Sequence, residues 1–290
     1  MKTLQKRDYF DGDNPVHKTS YCAFLDVLGF SERISASFKD GCGDELLQKF
    51  HAILQNRIDS LKNDSNESLL YFKSFTDNVI LAHPRFSDDM ESEFGFILWS
   101  LSEYQFEMAK HGFFIRGGLS VGDLFVDENS VYGPALIEAY SLESKIAVNP
   151  VVVLSDDAMG LVLHHCGYYA GNSSPQEKDV LVGSDGRFFI NYLMESIDDS
   201  DFPVVNWDDL FVHKSQIELA LKEYQSSPSV FAKYAWLAAY HNYFCDSISY
   251  YNGYSTSVKI SDDLSSVKFG KISDVIKIMK SQKKNETTTK

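Results

Sequence analysis

The chain has 290 residues, of which 44% are hydrophobic and 23% are charged, and its formal net charge at pH 7 is −14. These values are typical of a globular protein with one large domain or a domain and an appendage. So acidic a chain offers no basic field to a nucleic-acid duplex, although it can bind a single nucleotide whose charge divalent ions neutralise. No apolar run approaches the ~20 residues needed to cross a bilayer, and the N-terminus lacks the apolar centre of a signal peptide. We therefore expect a cytoplasmic protein with neither a nucleic acid nor a membrane as partner.

The first predicted strand contains a carboxylate. Residues 1–17 mix charges with turn-forming residues and are expected to form an N-terminal leader. Residues 21–30, YCAFLDVLGF, are a short apolar run closed by a glycine, which is typical of a strand buried on both faces. A carboxylate such as Asp26, left unpaired in that strand, would be strongly destabilising. A cation, a metal ion or several N–H donors must therefore lie beside it.

The later elements alternate between helix and strand. The sequence predicts, in order, a helix from Asp44, a hairpin of strands 69–75 and 78–83, a helix from Ser87 to Gly112, a strand at 113–121, a helix through Ala139 and Leu142, and a strand at 151–154. This order predicts an α+β domain over residues 18–166, with helices on a ferredoxin-like antiparallel sheet. Residues 167–280 are predicted to form a mixed, mostly helical accessory region, and residues 281–290 a disordered tail.

Two carboxylates and one arginine are the candidate catalytic residues. Asp26 lies in the first strand and Asp77 at the tip of the hairpin, and these strands can be neighbours in a ferredoxin-like sheet. Two-metal phosphoryl-transfer sites use paired aspartates to hold ions ~3.5–4 Å apart. Oxygen ligands favour Mg²⁺ or Mn²⁺ over the metals that seek thiols. Arg116 can then hold a polyphosphate through its guanidinium fork.

Four short motifs together resemble those of the class III nucleotidyl cyclases. They are FLDVLGF at 24–30, KSFTD at 73–77, IRGGLSVG at 115–122 and VYGPALIEA at 131–139. They occur in the family's order and span about half of the chain. The last two are most similar to the motifs of the bacterial pyrimidine cyclases of Pycsar antiphage systems, which make cyclic UMP or cyclic CMP.

The resemblance implies a role for each matching residue. Asp26 and Asp77 take the places of the ligands of two Mn²⁺ or Mg²⁺ ions, with the Val27 carbonyl as a third contact. Arg116 takes the place of the phosphate-binding arginine. Lys73 takes the place of a base-contacting lysine. The other residues assigned to substrate binding are Phe75, Ser130, Tyr132 and Lys145.

The fourth motif departs from the purine-cyclase pattern. Ser130 stands where purine cyclases have a base-reading aspartate. Ile137 and Ser141 stand where the family has the asparagine and the arginine that steady the ribose and the transition state. An arginine opposite a transferring phosphoryl group is worth ~10³–10⁵ in rate. Without this arginine, either another residue takes its role or the activity is weak. Lys145 is the candidate for that role.

The resemblance implies a pyrimidine nucleotide cyclase that converts UTP or CTP to the 3′,5′-cyclic monophosphate and pyrophosphate, as a second messenger for antiviral defence. It also implies a head-to-tail homodimer with active sites at its interface, and a separate cyclic-nucleotide-binding effector that reads the product. Two alternatives stay open. One is a catalytically degenerate, cyclase-like module that binds a nucleotide as a sensor, and the other is a purine nucleotide cyclase.

Overall fold

The computed structural model describes residues 8–63, 69–169, 174, 176–198, 202–261 and 264–277. The chain divides into two compact units, Met1–Ala158 and Met159–Lys290. The predicted disordered tail, 281–290, lies outside the described residues. Within the described ranges, no helix combines the length and the apolar character that a membrane span requires.

The first unit combines strands and helices, which confirms the predicted α+β class. Its strands are β1 (Phe10–Asp11), β2 (Asn14–Pro15), β3 (Lys18–Val27), β4 (Tyr71–Phe75), β5 (Asn78–Pro84), β6 (Ile115–Val126), β7 (Val131–Tyr132) and β8 (Val152–Leu154). Its helices are α1 (Phe30–Lys39), α2 (Gly43–Asn63), α3 (Glu91–Lys110) and α4 (Pro134–Lys145). Helix α5 (Asp156–Cys166) follows β8.

The sheet of the first unit has the ferredoxin-like order at its centre. β3 pairs antiparallel with both β6 and β5, and β5 pairs antiparallel with β4. β8 pairs with β6 in parallel, with Gly117 opposite Val152. The sheet is therefore mixed, and the prediction of an antiparallel sheet is wrong for β8. The reason is that α4 carries the chain across the sheet between β6 and β8, and a helical crossover returns the next strand in the same direction.

Different helices pack on the two faces of this sheet. Successive residues of a strand point to opposite faces, so neighbouring residues of β3 contact different helices. On one face Tyr21 is fully buried, and its ring lies 5.7 Å from that of Phe94 in α3. On the other face Cys22 is buried in a cluster with two alanines of α4. Phe24 and Asp26 follow on that same face, so the carboxylate shares the α4 side of the sheet. This side is called the α4 face below.

Part of the predicted leader packs on the first unit. β1 and β2 pair as a small antiparallel hairpin. Tyr9, just before it, is fully buried, and its hydroxyl shares a 2.8 Å hydrogen bond with the Ser20 hydroxyl. The leader therefore adds an aromatic side chain to the core.

Helix α1 is absent from the predicted elements. Gly29 has a φ of 71° and stands at its N-cap, so the chain turns from β3 directly into the helix through a conformation that glycine adopts readily. Only Phe30 and Ser37 of α1 are buried. Phe30, Ile34 and Phe38 recur every four residues along α1, so the sequence carries the apolar spacing of a helix there, although Ile34 and Phe38 stay exposed.

The second unit contains short strands and two long helices, in agreement with the predicted mostly helical region. Its elements are α6 (Gln176–Asp179), β9 (Val180–Gly183), β10 (Phe188–Ile190), β11 (Ile197–Asp198), β12 (Val204–Val205), α7 (Trp207–Glu223), α8 (Pro228–Ser247) and β13 (Phe269–Lys271). β9 pairs antiparallel with β10 and with β13. Trp236 and Tyr240 of α8 pack their rings 5.5 and 5.6 Å from that of Phe189. The aromatic residues of α8 thus form part of the core of this unit.

Candidate active site

Asp26 and Arg116 face each other across the middle of the sheet. They are direct partners in the register of β3 with β6. The Arg116 Nε donates a hydrogen bond of 3.1 Å to the Asp26 carboxylate. The side chains of Arg116 and Asp26 keep 27% and 21% of their exposure, so the pair is open to solvent. The guanidinium therefore supplies the cation that a carboxylate in this strand requires.

Asp77 approaches the same pair from the next strand. It lies in the two-residue turn that joins β4 to β5, and β5 is the neighbour of β3. Burial raises the pKa of Asp26, Arg116 lowers it, and the carboxylate of Asp77 raises it through like charge and hydrogen bonding. The net direction is upward, because Arg116 does not offset burial and Asp77 together. The structure thus brings together the three residues predicted to be catalytic.

A third carboxylate, Glu143 of α4, completes the cluster. Its side chain is 5% exposed, and its Oε1 lies 2.8 Å from the Arg116 Nη2. That oxygen accepts no well-aligned hydrogen bond from the described residues, so the contact is an ion pair. Burial raises the pKa of Glu143, Arg116 lowers it, and Asp26 and Asp77 raise it. Arg116 therefore lies between two carboxylates, with one guanidinium nitrogen directed at each.

Gly118 explains why α4 can lie so close to β6. A Cβ atom added there would lie 2.4 Å from the Cβ of Leu142 and 2.5 Å from the carbonyl oxygen of Ala139. Any side chain at this position would push the helix away from the strand. The glycine two residues after Arg116 thus lets α4 bring Glu143 to the guanidinium.

The role of Glu143 was not predicted, although the sequence carries a signal for it. The buried residues of α4 are Ala135, Ala139 and Glu143, which recur every four residues on one side of the helix. A glutamate at a position that the spacing marks as buried requires a cation beside it. Arg116 is that cation.

Lys73 and Ser130 meet at the turn between β6 and β7. The Lys73 ammonium donates a hydrogen bond to the Glu128 carbonyl oxygen. The Ser130 amide and hydroxyl donate hydrogen bonds of 2.6 and 3.0 Å to the carboxylate of Asp127. In the sheet, Lys73 lies in one row with Phe24 on the α4 face, two residues along from Asp26 in β3. Lys73, at the base-contacting position, and Ser130, which replaces the aspartate of purine cyclases, therefore both make hydrogen bonds to this turn.

Phe75, Tyr132 and Val27 occupy three different settings. Phe75 lies on the α4 face two residues beyond Lys73, and 79% of its surface is exposed. Tyr132 is 67% exposed, and its ring lies 5.6 Å from that of His17. Val27 is buried and is the last residue of β3, next to Asp26 in the chain.

Lys145 lies on a different side of α4 from Glu143. Ile137, Ser141 and Lys145 are spaced by four residues and share one side of the helix. Ile137 is 70% exposed and Lys145 is also exposed. The structure thus places Lys145 on the exposed side and Glu143 on the side that faces Arg116.

The donor set fits a hard divalent ion. Asp26 and Asp77 offer carboxylate oxygens, which Mg²⁺ and Mn²⁺ prefer, and Mg²⁺ sites typically use one or two carboxylates together with water and substrate phosphates. In the described part of the chain, no three or more His, Cys, Asp or Glu side chains are grouped so that they could hold a metal ion by themselves. A metal at this pair would therefore need ligands from a substrate and from water.

Half of the chain is similar in structure to parts of two solved structures. The sequence matches no protein-family model, and no curated protein matches it significantly. The chain is similar to a class III adenylyl cyclase-like ATP-binding protein from Pseudomonas aeruginosa, with 12% identity and a TM-score of 0.40 over 50% of this chain and 35% of that one. It is also similar to the guanylyl cyclase Cya2, with 13% identity and a TM-score of 0.34 over 50% of this chain and 78% of that one. The alignment thus spans about a third of the length of the first of these structures.

Proposed function

We propose that the chain is a nucleotidyl cyclase that converts UTP or CTP to the 3′,5′-cyclic monophosphate and pyrophosphate. The observation that supports this most is that Asp26, Asp77 and Arg116 converge at one end of the α4 face. Two carboxylates and a guanidinium in this arrangement can hold a metal-bound triphosphate. The motif order that resembles class III cyclases supports the same reaction.

Asp26 and Asp77, with the Val27 carbonyl, would hold two Mg²⁺ or Mn²⁺ ions. When bound, the ions supply charge neutralisation for the triphosphate and for the attacking oxygen. In this reaction the ribose 3′ oxygen loses its proton and bonds to the α-phosphorus, while the bond from that phosphorus to the β-phosphate oxygen breaks and pyrophosphate leaves. Arg116 would orient the phosphates and neutralise the charge that develops on the leaving group.

The α4 face also offers residues for the base and for a second subunit. We propose that Lys73, Phe75, Ser130 and Tyr132 contact the nucleotide, and that Lys145 substitutes for the missing transition-state arginine. A head-to-tail homodimer is supported by apolar side chains that stay exposed around the site. Their exposed fractions are 79% for Phe75, 70% for Ile137, 67% for Tyr132 and 53% for Tyr140. Exposed apolar surface of this kind marks a binding face, and the product would be read by a separate effector in antiviral defence.

A nucleotide sensor without turnover is the second candidate function. It is favoured by the apolar Ile137 and the short Ser141, because neither offers the charge that a transition-state arginine would supply. A sensor would still need Asp26, Asp77 and Arg116 to bind a metal-bound nucleotide. A purine nucleotide cyclase is the third candidate, and it differs from the first only in the base.

The test is to incubate the purified full chain with each of the four ribonucleoside triphosphates and Mn²⁺, and to separate the products chromatographically. The proposal expects a cyclic product from UTP or CTP and none from ATP or GTP. Asp26→Asn should abolish this product, whereas Asp123→Asn, a control at an exposed acid of β6, should not. Cyclic product from ATP or GTP alone would favour a purine cyclase. If no triphosphate is cyclised while one binds in a calorimetric titration, the sensor is correct.

A further inference from the structure

Two carboxylates hold Arg116 in place. Its Nε donates to Asp26 at 3.1 Å, and its Nη2 lies 2.8 Å from Glu143. A divalent ion at the Asp26 carboxylate would place like charge beside the Arg116 guanidinium and would weaken the first of these contacts. The second contact does not involve a proposed metal ligand. Glu143 can therefore keep the guanidinium in place after an ion arrives.

Glu143 is also an unusual residue for a purely structural role. Its side chain is 5% exposed, and its Oε1 is a buried oxygen without an aligned hydrogen bond. With Asp26 it places two carboxylates against one arginine, and the carboxylate of Asp77 lies close enough to act on both. A buried carboxylate that serves only packing is normally matched by its own cation and by hydrogen bonds. The excess negative charge therefore points to a cationic ligand.

We propose that Glu143 is a positioning residue that shares Arg116 with Asp26, so that divalent ions can take Asp26 while the arginine stays at the site to meet the phosphates. This inference rests on the proposed function, because it assigns the ions to Asp26 and Asp77. It differs from a metal-ligand role, because Glu143 acts on the ions through Arg116. If Glu143 loses its charge, Asp26 is the remaining partner of Arg116 in the cluster. Arg116 then competes more strongly with the ions for Asp26.

The expected size of the effect follows from comparable arrangements. Removal of a residue that orients or frees a metal ligand typically weakens metal affinity by ~10–100-fold. Glu143→Gln keeps the volume of the side chain and removes the charge. We expect it to raise the Mn²⁺ concentration at half-saturation about 10-fold or more in the absence of nucleotide.

The experiment titrates Mn²⁺ into the full chain without nucleotide and measures the free ion by electron paramagnetic resonance. Glu138→Gln is the matched control, because it removes the same charge from α4 at a residue that makes no contact with Arg116 in the described structure. Arg116→Gln alone should lower the Mn²⁺ midpoint, because it removes the competing cation. In that background, Glu143→Gln should change the midpoint by less than about 3-fold, since the cation through which Glu143 acts is gone.

Four outcomes would decide the matter. A large shift for Glu143→Gln that shrinks in the Arg116→Gln background supports the proposal. An unchanged midpoint for a folded Glu143→Gln variant overturns it and leaves the proposed metal site intact, and an equal shift in both backgrounds assigns Glu143 as a direct ligand and also overturns it. If the wild-type chain binds no Mn²⁺, the metal site itself is refuted and the proposal falls with it.

If Glu143→Gln does not fold, Glu143→Asp replaces it. This variant keeps the charge but withdraws it from Arg116, so it must raise the midpoint by a smaller factor, and an unchanged midpoint overturns the proposal.

Discussion

Asp77→Asn should stabilise the metal-free chain while it abolishes the response to Mn²⁺. Two like charges 4 Å apart repel by ~4 kcal/mol at an effective dielectric of 20. Arg116 neutralises part of the charge on Asp26, and both carboxylates keep some contact with solvent, so most of this repulsion is screened. We expect the free energy of unfolding without metal to rise by about 1 kcal/mol, because asparagine keeps the shape of the side chain and removes the repulsion.

The stability difference between Asp77→Asn and the wild type should depend on pH. Asp77 raises the pKa of Asp26, and a carboxyl whose folded-state pKa is raised contributes stability at low pH that is lost as the pH rises through that pKa. The advantage of Asp77→Asn should therefore be largest at pH values above the raised pKa of Asp26, and it should shrink as the pH falls through that pKa.

Urea unfolding with EDTA, followed by tryptophan fluorescence and circular dichroism, measures the effect. Trp99 on α3 reports on the first unit. Asp123→Asn is the control, because it removes an exposed carboxylate from β6 without touching the cluster. Repeating the titration with Mn²⁺ should stabilise the wild type and leave Asp77→Asn unchanged. A variant that is less stable than wild type in EDTA, or one that Mn²⁺ still stabilises, would show that Asp77 has a structural role.

Three further predictions concern other positions. Thr76 has a φ of 56°, so Thr76→Gly should raise the free energy of unfolding by about 1 kcal/mol in urea titrations by relieving strain in the turn. Gly118→Ala should lower it by ~1–3 kcal/mol, whereas Gly122→Ala, whose new Cβ would meet its nearest atom at 3.7 Å, should cost much less. His213 and His241 share a buried hydrogen bond of 3.0 Å, and burial lowers the pKa of both, that of His241 to about 4. The folded chain keeps them neutral, so stability measured by urea titration should fall as the pH drops from about 6.5 towards 4, by ~3 kcal/mol for His241 alone.

The central strands and the proximity of Asp26 and Asp77 were predictable because they depend on local patterns and on strand order. The apolar run around Asp26 and the turn at Asp77 each have a local signature. Their proximity needs only that the second hairpin strand pairs with β3, as it does. The pairing of Asp26 with Arg116 also follows the sheet, since β6 is the other neighbour of β3.

The spacing of Ala135, Ala139 and Glu143 marks one side of α4, but the partner of Glu143 could not be predicted, because it depends on how closely two elements approach. The ion pair of Glu143 forms only because Gly118 lets the helix rest on the strand. The parallel direction of β8 likewise follows from the helical crossover after β6. Its three consecutive buried apolar residues are typical of a strand buried on both faces, but so short a run does not give the direction of the strand.

The balance of charge at the site bears on which function the chain has. A structural ion pair needs one carboxylate for one arginine, yet Arg116 contacts both Asp26 and Glu143, and Asp77 lies close enough to raise the pKa of both carboxyls. Among the described residues the acids of this site therefore exceed its cations, and a bound cation or a proton can relieve the repulsion between them. Both the cyclase and the sensor account for that excess, because both bind a metal nucleotide. They differ on the exposed side of α4, where the proposed cyclase would use Lys145 at the transferring phosphoryl group and a sensor would not.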